Sequence, residues 1–103
     1  MFVEVFSYQS DPDPSQLEGH VEFVKHVVMP IAQKEPGFKG FQMLVDRQTG
    51  RSLGITYWEN EANARAAAEQ SLNPPQTPEG VETPTISNIS AEVYEVLINM
   101  PIG

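Results

Sequence analysis

The chain of 103 residues contains no cysteine. That excludes disulfides, thiol nucleophiles, and iron–sulfur or cysteine-zinc sites. Positive charge is scarce: six Lys and Arg stand against 14 Asp and Glu, for a formal charge of −8. The six are Lys25, Lys34, Lys39, Arg47, Arg51 and Arg65, spread without forming a stripe. This balance argues against nucleic acid and anionic membranes as partners. Long apolar runs are also missing; none reaches the ~20 residues of a spanning helix. The opening MFVEVFSYQS has no basic stretch before an apolar one, so no signal peptide is expected. The default expectation is a soluble cytoplasmic protein. There is a single tryptophan.

What the chain does have is a globular composition, 40% hydrophobic, in a length that suits one domain over residues 1–103. Phe2 to Tyr8 alternates as a strand and is broken by QSDPDPSQ, where Asp13 or Ser15 can cap a helix. The spacing of Leu17, Val21, Val24, Val28 and Ile31 predicts a helix over 15–34, widened by Phe23 and Val27, whose regular part is bent or ended near Val28 by Pro30. Pro36 and Gly37 end it. Strands are expected over 38–46 and 52–58, joined by DRQTGR with Gly50 at positive φ. A second, alanine-rich helix follows Trp58, capped by Asn60. Residues 73–85, with Pro74, Pro75, Pro78 and Pro84, read as a loop, and ISNISAEVYEVLI as a last strand. The order β-α-β-β-α-β predicts an α+β, ferredoxin-like fold: one antiparallel sheet with two helices on one face.

The hairpin GFQMLVDRQTGRSLGITYW poses a problem for such a fold. Phe41, Met43 and Val45 form one row, which can be matched across the turn with Leu53, Ile55 and Tyr57. Gly40, Gln42, Leu44, Gly54, Thr56 and Trp58 form the other. Neither row is charged, although helices cover only one sheet face. An exposed apolar face of that extent marks an interface, so a homodimer through the sheet face is expected. Trp58 runs straight into the second helix, which favours its row facing the helices.

PGFKGFQMLVDRQTG and ITYWENEANARA resemble the antibiotic-biosynthesis-monooxygenase-like group of dimeric α/β-barrel proteins. The resemblance extends from Phe2 to about Ile98. It implies a homodimer closing two sheets into a barrel and a cleft between helices and sheet. Its characterised members include oxygenases that use no metal or flavin, acting on aromatic polyketides or quinols, and haem degraders. The haem branch resembles a set of Asn on the first strand, Trp on the third and His on the second helix. Only Trp58 is present here, so no cofactor is expected.

Within that resemblance the substrate contacts are Trp58, Phe6, Gln42 and Thr56, and the catalytic candidates are His20, Tyr57 and Tyr94. A structural anchor for the second helix is the commoner explanation of Trp58, since that aromatic fits the fold regardless of reaction. His20 lies beside the apolar stripe and can accept a proton, although a helix-boundary histidine is the commoner explanation. Tyr8, Tyr57 and Tyr94 can donate to a phenolic or quinone oxygen, or simply pack in the sheet. His20 and His26 are six residues apart and point to different sides, so they form no metal face. Glu22 and His26 fit an exposed i,i+4 pair. Glu4 and Glu95 interrupt apolar strands. They could approach as a carboxyl pair with one raised pKa, but strand ends or a dimer seam explain them more simply. Arg65 is read as helix surface. The leading function is oxidation of a small aromatic or quinol substrate without metal or flavin. The alternative is a non-catalytic dimeric module that binds a small apolar ligand or serves only structure.

Overall fold

The computed structural model describes residues 1–73 and 85–100. The proline-rich stretch expected as a loop lies mostly outside them. The elements are β1 (Phe2–Gln9), α1 (Pro14–Phe23), a π-helical turn (Val24–Val28), α2 (Met29–Gln33), β2 (Phe38–Val45), β3 (Arg51–Trp58), α3 (Glu61–Leu72) and β4 (Ser87–Glu95). The four strands make one antiparallel sheet in the order β2-β3-β1-β4. This is the ferredoxin-like arrangement that the element order predicts.

The helix ends follow local chemistry. Asp13 Oδ1 accepts from the backbone N–H of Ser15 at 2.9 Å and of Gln16 at 3.4 Å, and Pro14 opens the first turn. Asn60 caps α3 by accepting from Asn63 N at 2.9 Å. The first helix departs from expectation in its middle. It does not end near Val28. The N–H of Met29 donates to Val24 O, five residues back, and Pro30 follows in the last segment. A π turn shifts the hydrogen-bond register just before the residue that has no donor, so the helix continues.

The hairpin corrects a second expectation. Phe41, Met43 and Val45 pair with Thr56, Gly54 and Ser52, while Gln42 and Leu44 pair with Ile55 and Leu53. The rows proposed from sequence are therefore crossed by one residue. The cause is the turn. Asp46 N donates to Arg51 O and Gly50 N to Asp46 O, both at 2.8 Å, so a loop of even length joins the strands. Odd positions on β2 then face even positions on β3, and a one-residue change of parity moves a whole row to the other face. A bulge between Phe38 and Gly40 returns Phe38 to the side of Trp58, where the rings meet edge-on at 5.6 Å.

Gly50 holds this turn at φ +79°. Its carbonyl accepts from Ser10 N and from Ser10 Oγ, both at 3.0 Å. A Cβ there would run into the backbone carbonyl of Ser10, which cannot swing away. Gly50→Ala is expected to lower stability by about 2–3 kcal/mol in urea unfolding, from the positive φ and the collision together.

Candidate functional site

Alternation sorts the strand side chains onto two faces. Glu4, Phe6, Tyr8, Ser52, Gly54, Thr56 and Trp58 turn toward the helices. The helices do not fill the space above them. A cavity of about 440 Å³ remains between the sheet and the wall formed by α1, the π turn and α2. Phe6, Phe23, Val24, Val27, Val28 and Phe41 give it a mainly apolar lining, and α3 closes one side with Ala67, Gln70 and Ser71. The alanine-rich sequence of α3 matters here, because small side chains leave the volume open.

Three ionisable groups are buried in this wall. Glu4 is 2% exposed and His20 8%; Tyr8 is also buried. Desolvation raises the Glu4 pKa, and hydrogen bonding from Thr56 pulls the other way more weakly. Ser71 on α3 adds a further weak downward pull, although it completes no hydrogen bond to Glu4 Oε2 in this geometry. Burial lowers the His20 pKa, which favours the neutral imidazole. Its Nδ1 has no hydrogen-bond partner among the described residues. Burial also pushes the Tyr8 phenol up to about 12, with the Ser52 hydroxyl opposing. The Tyr8 and His20 rings pack with centroids 5.2 Å apart.

A directed chain of hydrogen bonds crosses the sheet side of the cavity. Trp58 Nε1–H donates to Thr56 Oγ1 at 2.6 Å. The Thr56 hydroxyl donates to Glu4 Oε1 at 3.0 Å. Glu4 Oε2 is buried and completes no hydrogen bond among the described residues. Beyond His20 and Ile86 a second cleft of about 420 Å³ opens, lined in part by Gln9, Ser10, Asp11 and Gln16.

Of the residues predicted from sequence, His20, Trp58, Phe6 and Thr56 line the cavity. Gln42, Tyr57 and Tyr94 do not. Tyr57 Oη donates to Gln42 Oε1 at 2.8 Å on the opposite sheet face. Tyr94 donates to Glu92 there at 2.5 Å, an arrangement that raises its pKa. The physical reason is the pleat: Tyr57 lies between Thr56 and Trp58, so a regular strand sends it the other way. Tyr94 alternates likewise with Val93 and Glu95. Glu4 and Glu95 form no carboxyl pair, since Glu95 sits opposite Phe2 in the ladder and is exposed. Glu4 is the residue whose place sequence reasoning underrated. Its signal was available: it shares a row with Phe2, Phe6 and Tyr8, an acid among aromatics.

The chain has the fold of the antibiotic-biosynthesis-monooxygenase-like proteins. No family model matches the sequence. Among curated proteins it resembles the uncharacterized protein Rv2558 of Mycobacterium tuberculosis, with 35% identity over 60 residues, 58% of this chain. The chain spans about a quarter of the length of that relative. Among solved structures it superposes on a MhuD mutant with two manganese protoporphyrin IX bound per active site. That match has a TM-score of 0.71, 20% identity, and covers 98% of this chain and 99% of the other. It also superposes on the ActVA-Orf6 monooxygenase of Streptomyces coelicolor in complex with nanaomycin D. The TM-score there is 0.61 and the identity 18%, over 99% and 92% of the two chains.

A haem does not suit the donors present here. Among the described residues α3 offers no histidine, and the imidazole lining the cavity is His20, on α1. The ligand set that the resemblance implies for a haem is therefore not met.

Proposed function

We propose that this domain is a monooxygenase that uses neither metal nor flavin and oxidises a small aromatic or quinol-type substrate in the cavity. The observation that carries this reading is a mainly apolar cavity of about 440 Å³ with ionisable groups sealed into its wall. Such a site suits a flat aromatic ring and leaves its reacting oxygen among protein groups instead of water. The shared fold with a monooxygenase solved with nanaomycin D adds support. His20, with neutral imidazole favoured and Nδ1 unpartnered among the described residues, takes a proton from the substrate. The resulting anion is electron-rich and gives its electrons to dioxygen. A carbon–oxygen bond forms, the oxygen–oxygen bond then breaks, and one oxygen stays as a quinone carbonyl. The other leaves as water with the two hydrogens that the substrate loses.

The same reading includes a homodimer through the outer sheet face, where Val3, Val5, Leu53 and Ile55 stand half-buried. Leu44 is 44% exposed on that face, and Leu97, Ile98 and Met100 beyond β4 are more than 80% exposed. An apolar surface of this kind calls for cover. In the dimer Tyr57, Tyr94 and Gln42 belong to the interface and not to the reaction. The domain works as a cytoplasmic protein; no described helix is long and apolar enough to cross a membrane.

Oxygen uptake with 1,8-dihydroxyanthrone tests the function. The expected result is one dioxygen consumed per quinone formed, unchanged by chelators, with His20→Ala slowing turnover by about 10²-fold or more. Tight binding without uptake would replace the enzyme with the ligand-binding module. An absence of binding would remove the cavity from consideration.

A further inference from the structure

We infer that Glu4 is the proton donor of the cavity: its carboxyl proton sits on Oε2 and is given to an oxygen of the bound ligand. The inference deepens the proposed function, and its donor role rests on the cavity being the ligand site. It starts from the direction of two hydrogen bonds. An indole N–H can only donate, so Thr56 Oγ1 must accept from Trp58. The one hydroxyl proton of Thr56 then points to Glu4 Oε1, the arrangement that leaves no buried donor unpaired. Glu4 Oε1 is thereby fixed as an acceptor, and the proton of the neutral acid belongs on Oε2.

That oxygen is buried and completes no hydrogen bond among the described residues, although the Ser71 hydroxyl is near enough to act on the carboxyl. An unsatisfied buried polar atom is costly in a folded protein, and it points to a group that arrives later. A ligand carbonyl or phenolate oxygen supplies the missing acceptor. In the proposed oxidation His20 takes the first proton, while Glu4 Oε2–H stabilises the charge that builds on the substrate oxygen.

Groups near Glu4 come from every side of the site. Tyr8 on β1, His20 on α1 and Glu35 beyond α2 line the same cavity. On β4, Val93 is directly opposite Glu4 and the exposed Glu95 lies two pairs further along. From α3 only the uncharged Ala67, Gln70 and Ser71 line the cavity among the described residues. Among the described residues no Lys or Arg lines the cavity to hold the carboxylate form.

Trp58 is the only tryptophan, and it is two hydrogen bonds from Glu4. Its fluorescence across pH 4–9 is the first readout. The ligand-free protein is expected to show a one-proton step that Glu4→Gln removes, Thr56→Val weakens and His20→Ala leaves in place. Thermal unfolding reads the same group. Because its folded pKa is raised, the folded state holds the proton more tightly than the unfolded one. Stability from Glu4 is thus full below the ordinary value of 4.5 and is lost as pH rises through the folded value. Glu4→Gln should remove that decline.

The second readout is calorimetric binding of 2-methyl-1,4-naphthoquinone, which has no ionisable group. Affinity should fall about tenfold per pH unit above the fluorescence step, as expected when only the protonated form binds. It should become independent of pH in Glu4→Gln, whose amide still donates. A step that survives in Glu4→Gln would overturn the placement of the proton. A step lost in Glu4→Gln with quinone affinity flat against pH would overturn the donor role and leave the cavity as a binding site. No quinone binding at any pH would sink the cavity reading and the donor role together, while the fluorescence step would still report where the proton lies.

Discussion

Trp58→Ala is expected to destabilise the domain by about 3–5 kcal/mol, the range for removing a large buried aromatic. Trp58 is 3% exposed, and its ring meets Phe38 edge-on at 5.6 Å. It is also the last residue of β3, just before the cap of α3. Truncation therefore opens the floor of the cavity and loosens the strand-to-helix junction at once. It also strips Thr56 of its incoming hydrogen bond, so the hydroxyl is free to reorient and Glu4 Oε1 loses its fixed donor. A small domain has only about 5–15 kcal/mol to lose. At ~4–8 °C per kcal/mol, the unfolding midpoint should fall by at least about 12 °C. Trp58→Phe keeps the ring but not the N–H. It should recover most of the stability while still disturbing the pH step, which separates packing from hydrogen bonding. Calorimetry of both variants makes the comparison. A Trp58→Ala protein that melted within 3–4 °C of the parent (under ~1 kcal/mol) would contradict its placement in the floor.

Ile55→Glu is expected to abolish the proposed homodimer. Ile55 lies in the middle of β3 on the outer face, paired with Val5 on one side and Gln42 on the other. A two-fold interface uses the same patch twice, so one substitution introduces two carboxylates. Each must be desolvated, and the pair repels in a chain already at −8. A penalty of ~4 kcal/mol or more corresponds to a dissociation constant weaker by about 10³-fold. Sedimentation at micromolar concentration should change from one dimeric to one monomeric species. The cavity lies on the other face, so 1,8-dihydroxyanthrone binding by the monomer tests whether the site needs its partner. If the parent protein sediments as a monomer at every concentration, the dimer is wrong.

Much of the architecture was legible in local sequence chemistry. Asn60 as a helix cap, Asp13 as one of two candidates for the other cap, Gly50 at positive φ, and Trp58 turned toward the helices were predictable from short-range rules. The hairpin pairing was not, because it depends on whether the turn DRQTGR closes with an even or odd number of residues. Both rows were apolar enough that burial gave no warning of the error. Tyr57 and Tyr94 fall outside the cavity for a simpler reason: a phenol suggests chemistry by its type, but its parity on the strand decides which face it occupies. Glu4 was legible in position but not in burial. An acid on an apolar row is most often an edge residue, and only the packing of α3 against β1 shows that it is sealed in. The π turn left no trace in sequence apart from Pro30.

The alternation along β1 and β3 means that each strand serves two masters at neighbouring positions. Phe6, Thr56 and Trp58 answer to the pocket, while Val5, Ile55 and Tyr57 answer to the outer face. A change at one parity leaves the other parity almost untouched. The opposite wall of the pocket, with its widened turn at Val24–Val28, has no duty toward the outer face at all. Divergent copies of this domain can therefore reshape the cavity while keeping the same outer face, and can equally change that face without altering the cavity.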